Sequence, residues 1–421
     1  MKFHPAALSG AVCAPASKSE SHRLMICAGL TAGTTQLEGY MASADMDATR
    51  RCLTALGADI TQQGDVLTVC GHARKAKALP VMDCGESGST LRFFVPIALA
   101  MTGGATFRMH GRLGQRPMEV YRDLFVPRGV NWYMGIGADG AAELTVRGHM
   151  EAGQYVLPGN VSSQFVSGLM FALPLLEGES TLTVLPPVES AGYILMTLDA
   201  LRRSGIALEE TGPFSWRIKG NQRYSAHSGR LSGDYSQAAV LLCAGALGAS
   251  VTVSGLAPDT TQGDRAVLKH LTALGAEVTE GPNGVQVQGG NLRGATLDLH
   301  DCPDVAPMLA LVCQLSAGES RLNGCGRLRL KECDRLAATV AMLNAMGGNA
   351  AIDGDAMVIR GVNHLKGGAE VDVCNDHRMV MLAAVAATRC LEPLTFSGAQ
   401  ALNKSWPEFL DVYRSLGGIV E

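Results

Sequence analysis

The chain has 421 residues, of which 47% are hydrophobic, 18% are charged and 50 are glycine. That length exceeds what one compact core usually spans, and the apolar content excludes an intrinsically disordered chain. The formal charge of −4 gives no overall basic surface of the kind that nucleic-acid-binding proteins carry. No apolar run reaches the roughly 20 residues that a membrane helix needs. The N-terminal segment, broken by Pro5, Ser9 and Gly10, makes a poor signal peptide.

Twelve cysteines are spread along the chain without any Cys-x-x-Cys pair. This spacing disfavours a zinc ribbon or a dithiol redox centre, so no metal site is predicted. Buried thiols in a reducing compartment are the expected state. We therefore expect a cytoplasmic protein of two domains, with neither a nucleic-acid nor a membrane partner.

Six apolar helices are predicted along the chain, and each is followed by a short alternating strand. Each helix opens on a small or acidic capping residue, and its apolar character nearly all round indicates burial within a domain. In chain order the helix and strand pairs are 21–30 with 35–39, 89–101 with 106–110, 163–176 with 181–185, 234–247 with 251–254, 304–316 with 320–323, and 376–389 with 394–397.

A second type of helix recurs between these pairs and reveals an internal repeat. The string Leu-Thr-Ala-Leu-Gly-Ala occurs at 53–58 and again at 271–276, with looser versions elsewhere. Each copy reads as an amphipathic helix that ends at a glycine with positive φ and leads into a strand. We predict six copies of a unit of about 70 residues, in mixed sheets. The glycines that end these helices are Gly57, Gly129, Gly205, Gly275, Gly347 and Gly417.

The starts of the six apolar helices collect polar and charged residues. Ordinary N-capping explains one Ser or Asp in each cluster. It does not explain Lys18, Arg23, Arg92 and Arg378, which lie in the first two turns, where the helix dipole disfavours cations. Positive charge at a helix start is favourable when an anion lies there, so we predict anion-binding sites at these starts.

Three further segments concentrate cations beside glycine turns or at strand ends. They are 111–117, 327–335 and 403–407. A solvated charged loop is the simpler interpretation of each one alone. Two different anionic groups, such as a phosphate and a carboxylate, would account for so many cations better than one.

These clusters resemble the 5-enolpyruvylshikimate-3-phosphate synthase family, in its order and spacing, from about residue 10 to the C-terminus. Six motifs together with the repeat make the resemblance specific. The motifs are Lys18-Ser19-x-Ser21-x-Arg23, Ser87-Gly88-Ser89-Thr90-x-Arg92, Val161-Ser162-Ser163-Gln164, Gly233-Asp234-Tyr235-Ser236, Lys331-Glu332-x-Asp334-Arg335 and Asn375-Asp376-His377-Arg378-Met379.

The resemblance implies an α/β fold of two domains, each made of three repeated βαβαββ units with buried parallel helices and mixed sheets, an inside-out α/β barrel. Residues 16–231 would form the shikimate 3-phosphate domain. Residues 1–15 and 232–421 would form the second domain, and the active site would lie in the cleft between the two.

The family reaction transfers the enolpyruvyl group of phosphoenolpyruvate to the 5-hydroxyl of shikimate 3-phosphate and releases phosphate. It needs no metal and no cofactor, the partners are these two small molecules, and a monomer is expected.

Site residues follow from the matched motifs. Those implied for shikimate 3-phosphate are Lys18, Ser19, Arg23, Ser162, Ser163, Gln164, Ser190, Tyr193, Asp304 and Lys331. Those implied for phosphoenolpyruvate are Lys18, Gly88, Arg92, Arg116, Gln164, Arg335, Arg378 and Lys404. The resemblance makes Asp304 and Glu332 an acid–base pair assisted by Lys18, with support from Asp45, Glu86, Ser89 and His377. From the sequence alone, Asp304 would more simply cap a helix.

Two alternatives stay open. A sister enzyme that transfers enolpyruvyl to UDP-N-acetylglucosamine shares the fold but normally has a cysteine in the loop that corresponds to 111–117, where this chain has none. A catalytically silent anion-binding relative would be expected to lose Lys18, Asp304 or Glu332, and all three are present. Glu86 and Cys333 depart from the usual family residues, Asn and Thr, but neither change removes a charged group from the proposed chemistry.

Overall fold

The computed structural model describes residues 1–71 and 79–421. Within these residues the chain forms two compact units. We call Lys18–Leu231 the continuous unit, and Met1–Ser17 together with Ser232–Glu421 the split unit. Residues 16 and 17 belong to the split unit, where Ala16 pairs with Gly233 and Ser17 N donates to Ser232 O at 2.7 Å.

Helices occur in both units, six in each among the described residues. The predicted apolar helices correspond to α1, α3, α5, α7, α9 and α11, and the repeat helices alternate with them. The full set is α1 (Lys18–Leu30), α2 (Ala44–Ala55), α3 (Gly88–Thr102), α4 (Glu119–Phe125), α5 (Ser163–Ala172), α6 (Ala191–Arg203), α7 (Tyr235–Leu247), α8 (Val267–Ala273), α9 (Ala306–Gln314), α10 (Arg335–Ala345), α11 (His377–Ala387) and α12 (Phe409–Ser415).

The strands are short, as expected for sheets built from repeated hairpins and crossovers. In the described part of the chain they are β1 (Lys2–His4), β2 (Gly10–Cys13), β3 (Thr34–Glu38), β4 (Asp59–Gln63), β5 (Val66–Cys70), β6 (Val81–Asp83), β7 (Gly104–Met109), β8 (Asn131–Ile136), β9 (Ala142–Arg147), β10 (Gln154–Pro158), β11 (Glu179–Leu185), β12 (Glu209–Gly212), β13 (Ser215–Lys219), β14 (Gly229–Arg230), β15 (Val251–Ser254), β16 (Glu277–Gly281), β17 (Gly284–Gln288), β18 (Thr296–Asp298), β19 (Glu319–Asn323), β20 (Ala350–Asp353), β21 (Ala356–Arg360), β22 (Leu394–Thr395) and β23 (Ile419–Val420).

Each unit contains three sheets among its described residues. The continuous unit has the strand orders β14-β3-β5-β4, β6-β7-β9-β8 and β10-β11-β13-β12. The split unit has β16-β17-β15-β2, β18-β19-β21-β20 and β22-β1-β23. In the sheet β10-β11-β13-β12, β10 pairs in parallel with β11 and the other neighbours are antiparallel. With α5 and α6 this sheet forms a complete βαβαββ unit, which confirms the predicted repeat and its mixed sheets.

Three sheets contain a strand from a distant part of the chain, one of which is β1, between β22 and β23. β14 lies beside β3, with Gly229 opposite Leu37, and takes the place of a leading strand for α1. β2 lies beside β15 in the same way, with Gly10 opposite Val251, and serves the repeat that contains α7. The borrowed strands explain why the split unit needs residues from both ends of the sequence.

The apolar helices form the core of each unit. Every residue of α7 and of α11 is buried, and α7, α9 and α11 contact one another. A helix that is apolar all round has no face for solvent, so this burial is the expected outcome. No helix within residues 1–71 and 79–421 is both long and apolar enough to span a membrane.

The repeat glycines have the predicted backbone conformation. A left-handed residue after a helix lets the chain reverse, and only glycine adopts it without steric cost. The φ values are 101° at Gly57, 83° at Gly129, 75° at Gly205, 93° at Gly275, 90° at Gly347 and 99° at Gly417.

Candidate active site

The start of α1 presents Lys18 beside an acid on the neighbouring helix. Lys18 Nζ donates to Asp45 Oδ2 at 2.7 Å, and both side chains are partly exposed. Asp45 lies in the first turn of α2, which Ser43 caps by accepting from Met46 N. The structure thus pairs Asp45 with the Lys18 ammonium, and the supporting role that the resemblance implies for Asp45 stays a prediction.

Arg23, one turn further along α1, is buried within the continuous unit. Its Nε donates to Thr197 Oγ1 at 2.9 Å, Nη1 to Ser19 O at 2.7 Å and Nη2 to Tyr193 O at 3.0 Å. The guanidinium also lies 5.3 Å from the centre of the Phe93 ring. Burial lowers the pKa of Arg23 to about 10, so the group remains a cation at neutral pH. Two of its five N–H donors hold α6 against α1, and a third bonds within α1.

Gln164 connects two of the predicted helix starts. Its Oε1 accepts from Arg92 Nη1 at 2.6 Å, and its Nε2 donates to Ser89 Oγ at 2.8 Å. Arg92 also donates to Pro117 O at 2.9 Å, so α3, α5 and the loop before α4 converge on one guanidinium. Ser162 caps α5 through its hydroxyl, which accepts from Gln164 N at 3.3 Å. Ser163 follows as the first residue of α5 and is buried.

Ser190 has a strained backbone at the start of α6. Its φ of 55° and ψ of 44° lie in the left-handed region, and its side chain does not cap the helix. A non-glycine residue in this conformation costs of order 1 kcal/mol and is over-represented at functional sites. Ser190 is fully buried, and Tyr193, whose carbonyl accepts from Arg23, lies in the next turn.

Gly88 and Arg116 are in close contact in the continuous unit. A Cβ added to Gly88 would lie 2.7 Å from Arg116 Nη1 and 2.9 Å from Cζ. Glu86 fills the neighbouring space, because a Cβ on Gly111 would lie 2.6 Å from its Cδ. The two glycines therefore let the 111–117 loop approach the start of α3, and Glu86 lies at this junction.

Arg335 is the centre of the site residues in the split unit. Its side chain is 2% exposed and contacts three carboxylates. Nη1 donates to Asp304 at 2.8 Å, Nη2 to Glu332 at 2.7 Å and Nε to Asp376 at 2.7 Å. Although burial opposes the charge, Asp376, Glu332 and Asp304 raise the pKa of Arg335 well above its usual value. The arrangement brings both predicted acid–base residues to one permanent cation.

Asp304 does not cap a helix. It lies in a 3₁₀ turn before α9, and neither that turn nor α9 has a side-chain cap. Instead Asp304 Oδ1 accepts from Lys331 Nζ at 2.9 Å and from Arg335 Nη1 at 2.8 Å. Burial acts to raise the pKa of Asp304, but Lys331 and Arg335 outweigh it and hold the pKa well below the usual range. Asp304 is therefore ionised at neutral pH and can accept a proton.

Lys331 has the opposite electrostatic balance. Burial is the largest influence on its pKa, which is lowered from the usual value although Asp304 acts to raise it. A lysine in this state depends on its carboxylate neighbour to keep its charge. Lys331 and Asp304 are thus one functional pair, joined from positions 27 residues apart in the chain.

The start of α11 carries His377 and Arg378, and Lys404 reaches it from a later 3₁₀ helix. Asp376 caps α11 by accepting from Arg378 N at 2.8 Å. Arg378 Nη1 donates to Ser236 O at 2.6 Å and Nη2 to Ser236 Oγ, which ties α11 to α7. His377 is buried, with Nδ1 3.7 Å from Asp376 Oδ1. Lys404 Nζ donates to Asn375 O at 2.8 Å.

The cysteines are free thiols in this structure, and most are buried. Cys333, between the acid Glu332 and Arg335, donates to Asp376 Oδ2 at 3.5 Å. Burial raises the pKa of Cys84 well above its usual value, so it is not an activated thiol. In the described residues, no group of three or more His, Cys, Asp or Glu side chains is arranged to hold a metal ion.

Sequence reasoning missed two residues that organise these groups. Thr197 accepts from Arg23 and shares a 2.7 Å hydrogen bond with Ser167. Asp376 belongs to the motif 375–379, which indicates no role for it, although it contacts Arg335 across 41 positions of sequence. Nothing in the local pattern distinguishes these residues from an ordinary helical threonine or a capping aspartate.

The architecture and the basic helix starts define an enolpyruvyl transferase fold. Similar solved structures are EPSP synthase from Acinetobacter baumannii, with a TM-score of 0.80 and 24% identity over 99% of this chain and 98% of that one, and the enolpyruvyl transferase NikO from Streptomyces tendae, with a TM-score of 0.77 and 18% identity over 100% of this chain and 98% of that one. At these identities the likeness concerns the fold.

The family model of EPSP synthase (3-phosphoshikimate 1-carboxyvinyltransferase) matches residues 3–413. A 3-phosphoshikimate 1-carboxyvinyltransferase from Clostridium beijerinckii is 38% identical over 429 residues, covering 100% of this chain and 98% of that protein. The protein of the same name from Clostridioides difficile is 36% identical over 431 residues, with the same coverage. The chain belongs to the EPSP synthase family and is an enzyme of the transferase class.

Proposed function

We propose that this chain transfers the enolpyruvyl group of phosphoenolpyruvate to the 5-hydroxyl of shikimate 3-phosphate, in the shikimate pathway that leads to aromatic amino acids. The products are 5-enolpyruvylshikimate 3-phosphate and phosphate. The observation that carries the proposal is the family match over residues 3–413, which spans both units and includes each motif singled out above.

Phosphoenolpyruvate carries a phosphate and a carboxylate, and both are best bound by cations. In the proposal Arg92 and Arg116 of the continuous unit serve it together with Arg335, Arg378 and Lys404 of the split unit. Two features support this set. Gly88 gives Arg116 its space, and Gln164 orients the Arg92 guanidinium through a 2.6 Å hydrogen bond.

Shikimate 3-phosphate carries a phosphate and several ring hydroxyls. The hydroxyls and amides of Ser162, Ser163 and Gln164 lie at the start of α5, where backbone N–H groups favour a phosphate. In the proposal Ser190 and Tyr193 at the start of α6 complete this set, with Ser19 and Arg23 from α1 and Asp304 and Lys331 from the split unit.

The addition step of the proposed reaction moves two protons. Asp304, kept ionised by Lys331 and Arg335, takes the proton of the attacking 5-hydroxyl as the new C–O bond forms at the central carbon of phosphoenolpyruvate. Glu332, protonated at the start of the cycle, delivers its proton to the methylene carbon, and Arg335 holds both carboxyl groups through separate nitrogen atoms. In the elimination Glu332 takes a proton back from the methyl group of the tetrahedral adduct, the C–O bond to phosphate breaks, and phosphate leaves with the proton that Asp304 had taken. Lys18 bridges the two substrates, oriented by Asp45.

Purified protein given both substrates should release inorganic phosphate. The assay measures phosphate together with enolpyruvylshikimate product, and a Glu332→Gln and Asp304→Asn double variant gives the background. Release only with UDP-N-acetylglucosamine as acceptor would assign the sister reaction. No release with either acceptor would indicate a catalytically silent relative. We further propose a cytoplasmic location and a monomeric state, and gel filtration with light scattering tests the monomeric state.

A further inference from the structure

A buried chain of four polar side chains joins α1, α2 and α3 in the continuous unit. His22 Nδ1 lies 2.7 Å from Thr49 Oγ1, which lies 2.8 Å from Thr90 Oγ1. Thr90 Oγ1 donates to Ser87 Oγ at 2.8 Å. Each of the four residues is at most 1% exposed. We call His22, Thr49, Thr90 and Ser87 the hydroxyl chain, and the proposed reaction gives it no role so far.

The hydrogen bonds of the hydroxyl chain have one direction. Thr90 has a single hydroxyl proton and gives it to Ser87, so it must accept from Thr49. Thr49 has then used its own proton and must accept from His22 Nδ1. In the described residues His22 Nε2 has no hydrogen-bond partner. A bare ring nitrogen tolerates this better than a buried N–H, so the neutral tautomer with its proton on Nδ1 satisfies the whole chain.

The surroundings of His22 keep it in this neutral form. Burial, together with the positive charges of Lys18 and Arg23, holds the pKa of His22 well below its usual value. Protonation would add a second buried donor at Nε2. The direction of the hydroxyl chain is therefore stable across the neutral pH range.

The two proposed substrate sets depend on different buried links. Most groups assigned to phosphoenolpyruvate in this unit lie on the helices that the hydroxyl chain connects, α1 (Lys18) and α3 (Gly88, Arg92), or against α3 (Arg116); Gln164, on α5, is shared with the other substrate. Groups assigned to shikimate 3-phosphate lie on α1, α5 and α6, which are connected instead by the bonds from Arg23 to Thr197 and from Thr197 to Ser167. Breaking one link should affect one substrate more than the other.

We propose that His22, as its Nδ1–H tautomer, is a positioning residue for phosphoenolpyruvate that fixes the start of α3 relative to α1 through the hydroxyl chain. The proposal rests on the proposed function. In this role His22 contacts neither substrate and acts through Ser87, which caps α3 by accepting from Thr90 N at 3.2 Å. Its effect should therefore appear in binding of one substrate rather than in proton transfer.

The tautomer is tested without any activity measurement. In protein labelled with ¹⁵N at histidine, the ring of His22, assigned by its loss in His22→Asn, should show a protonated Nδ1 and a bare Nε2. This pattern should not change over the neutral pH range. A proton on Nε2, or a doubly protonated ring, would overturn the proposal whatever the enzyme catalyses.

Steady-state kinetics test the positioning role. His22→Leu removes the donor, and we expect the KM for phosphoenolpyruvate to rise about tenfold while the KM for shikimate 3-phosphate changes less than about twofold. His22→Asn carries an amide N–H at the place of Nδ1 and should restore most of the affinity. Thr197→Val, a matched loss of one hydroxyl in the other link, should show the reverse preference.

The outcomes separate the two levels of the proposal. No turnover by the unaltered protein would refute the proposed function and leave the tautomer experiment to decide the hydroxyl chain. Turnover with both KM values raised equally in His22→Leu would overturn the positioning role. If His22→Leu does not fold, Thr90→Val breaks the same chain with a side chain of the same shape and must show the same split.

Discussion

Gly88→Ala tests the contact between α3 and the 111–117 loop most directly. The new Cβ would lie 2.7 Å from Arg116 Nη1, 2.9 Å from Cζ and 3.1 Å from Nη2. Ordinary contact begins near 3.4 Å, so the guanidinium must retreat by roughly 0.7 Å. Because the obstacle is the end of a flexible side chain and residue 88 is helical, the fold should accept alanine.

The expected result is selective loss of phosphoenolpyruvate affinity. Misplacing a binding group by about 1 Å can cost up to 10²-fold, so we expect the KM for phosphoenolpyruvate to rise between about 10-fold and 100-fold. The KM for shikimate 3-phosphate and the melting temperature should change little. Gly212→Ala is the matched control, since a Cβ there meets nothing within 4 Å.

Two results would refute this reasoning. An unchanged KM for phosphoenolpyruvate in folded Gly88→Ala would mean that Arg116 does not bind this substrate. A large fall in melting temperature would mean that the backbone yields rather than the arginine, so the kinetic effect would carry no information about Arg116.

Three further predictions concern the carboxylates and the start of α5. Glu332→Gln should lower kcat by about 10²-fold or more, and an unchanged rate in a single-turnover assay would show that another group donates the proton. The folded pKa of Asp304 lies below its unfolded value near 3.9, so its stabilisation is present above about pH 4 and is lost as the pH falls further. The melting temperature should therefore fall less on acidification in Asp304→Asn than in the unaltered chain. An equal fall in both proteins would contradict the assigned ion pairs with Lys331 and Arg335. Ser162→Ala removes the cap of α5, so it should cost about 1 kcal/mol in denaturant unfolding and raise the KM for shikimate 3-phosphate; no change in either would rule out its dual role.

Local signals predicted the repeated architecture well. Asp234, Ser87, Ser162 and Asp376 each cap a helix that the sequence predicted, because capping depends on neighbours two or three positions away. The repeat glycines were equally predictable, since a positive φ after an amphipathic helix leaves glycine as the favoured residue. Both the helix caps and the repeat glycines depend only on residues a few positions away in the chain.

The contacts that organise the candidate site have no such local signature. Asp304 looked like a cap, but its partners Lys331 and Arg335 lie 27 and 31 positions away. The contact from Arg335 to Asp376 spans 41 positions, and His22 reaches Thr49 across 27. The pair Arg335–Asp376 joins two repeats, and the others join the two helix starts or helices of one repeat. All of them follow from how helices pack, which no period in a single sequence records. The family resemblance identifies the candidate site residues, and the three-dimensional structure shows which side chains these long-range contacts join.

The borrowed strands also impose an order on synthesis. The continuous unit is complete once residue 231 leaves the ribosome, so it can fold while translation goes on. β2 is made early but pairs with β15, and β1 must wait for β22 and β23, which come late in the split unit. β2 therefore waits for its partner until residue 254 has been made, β1 waits until residue 420, and the split unit matures after the continuous unit.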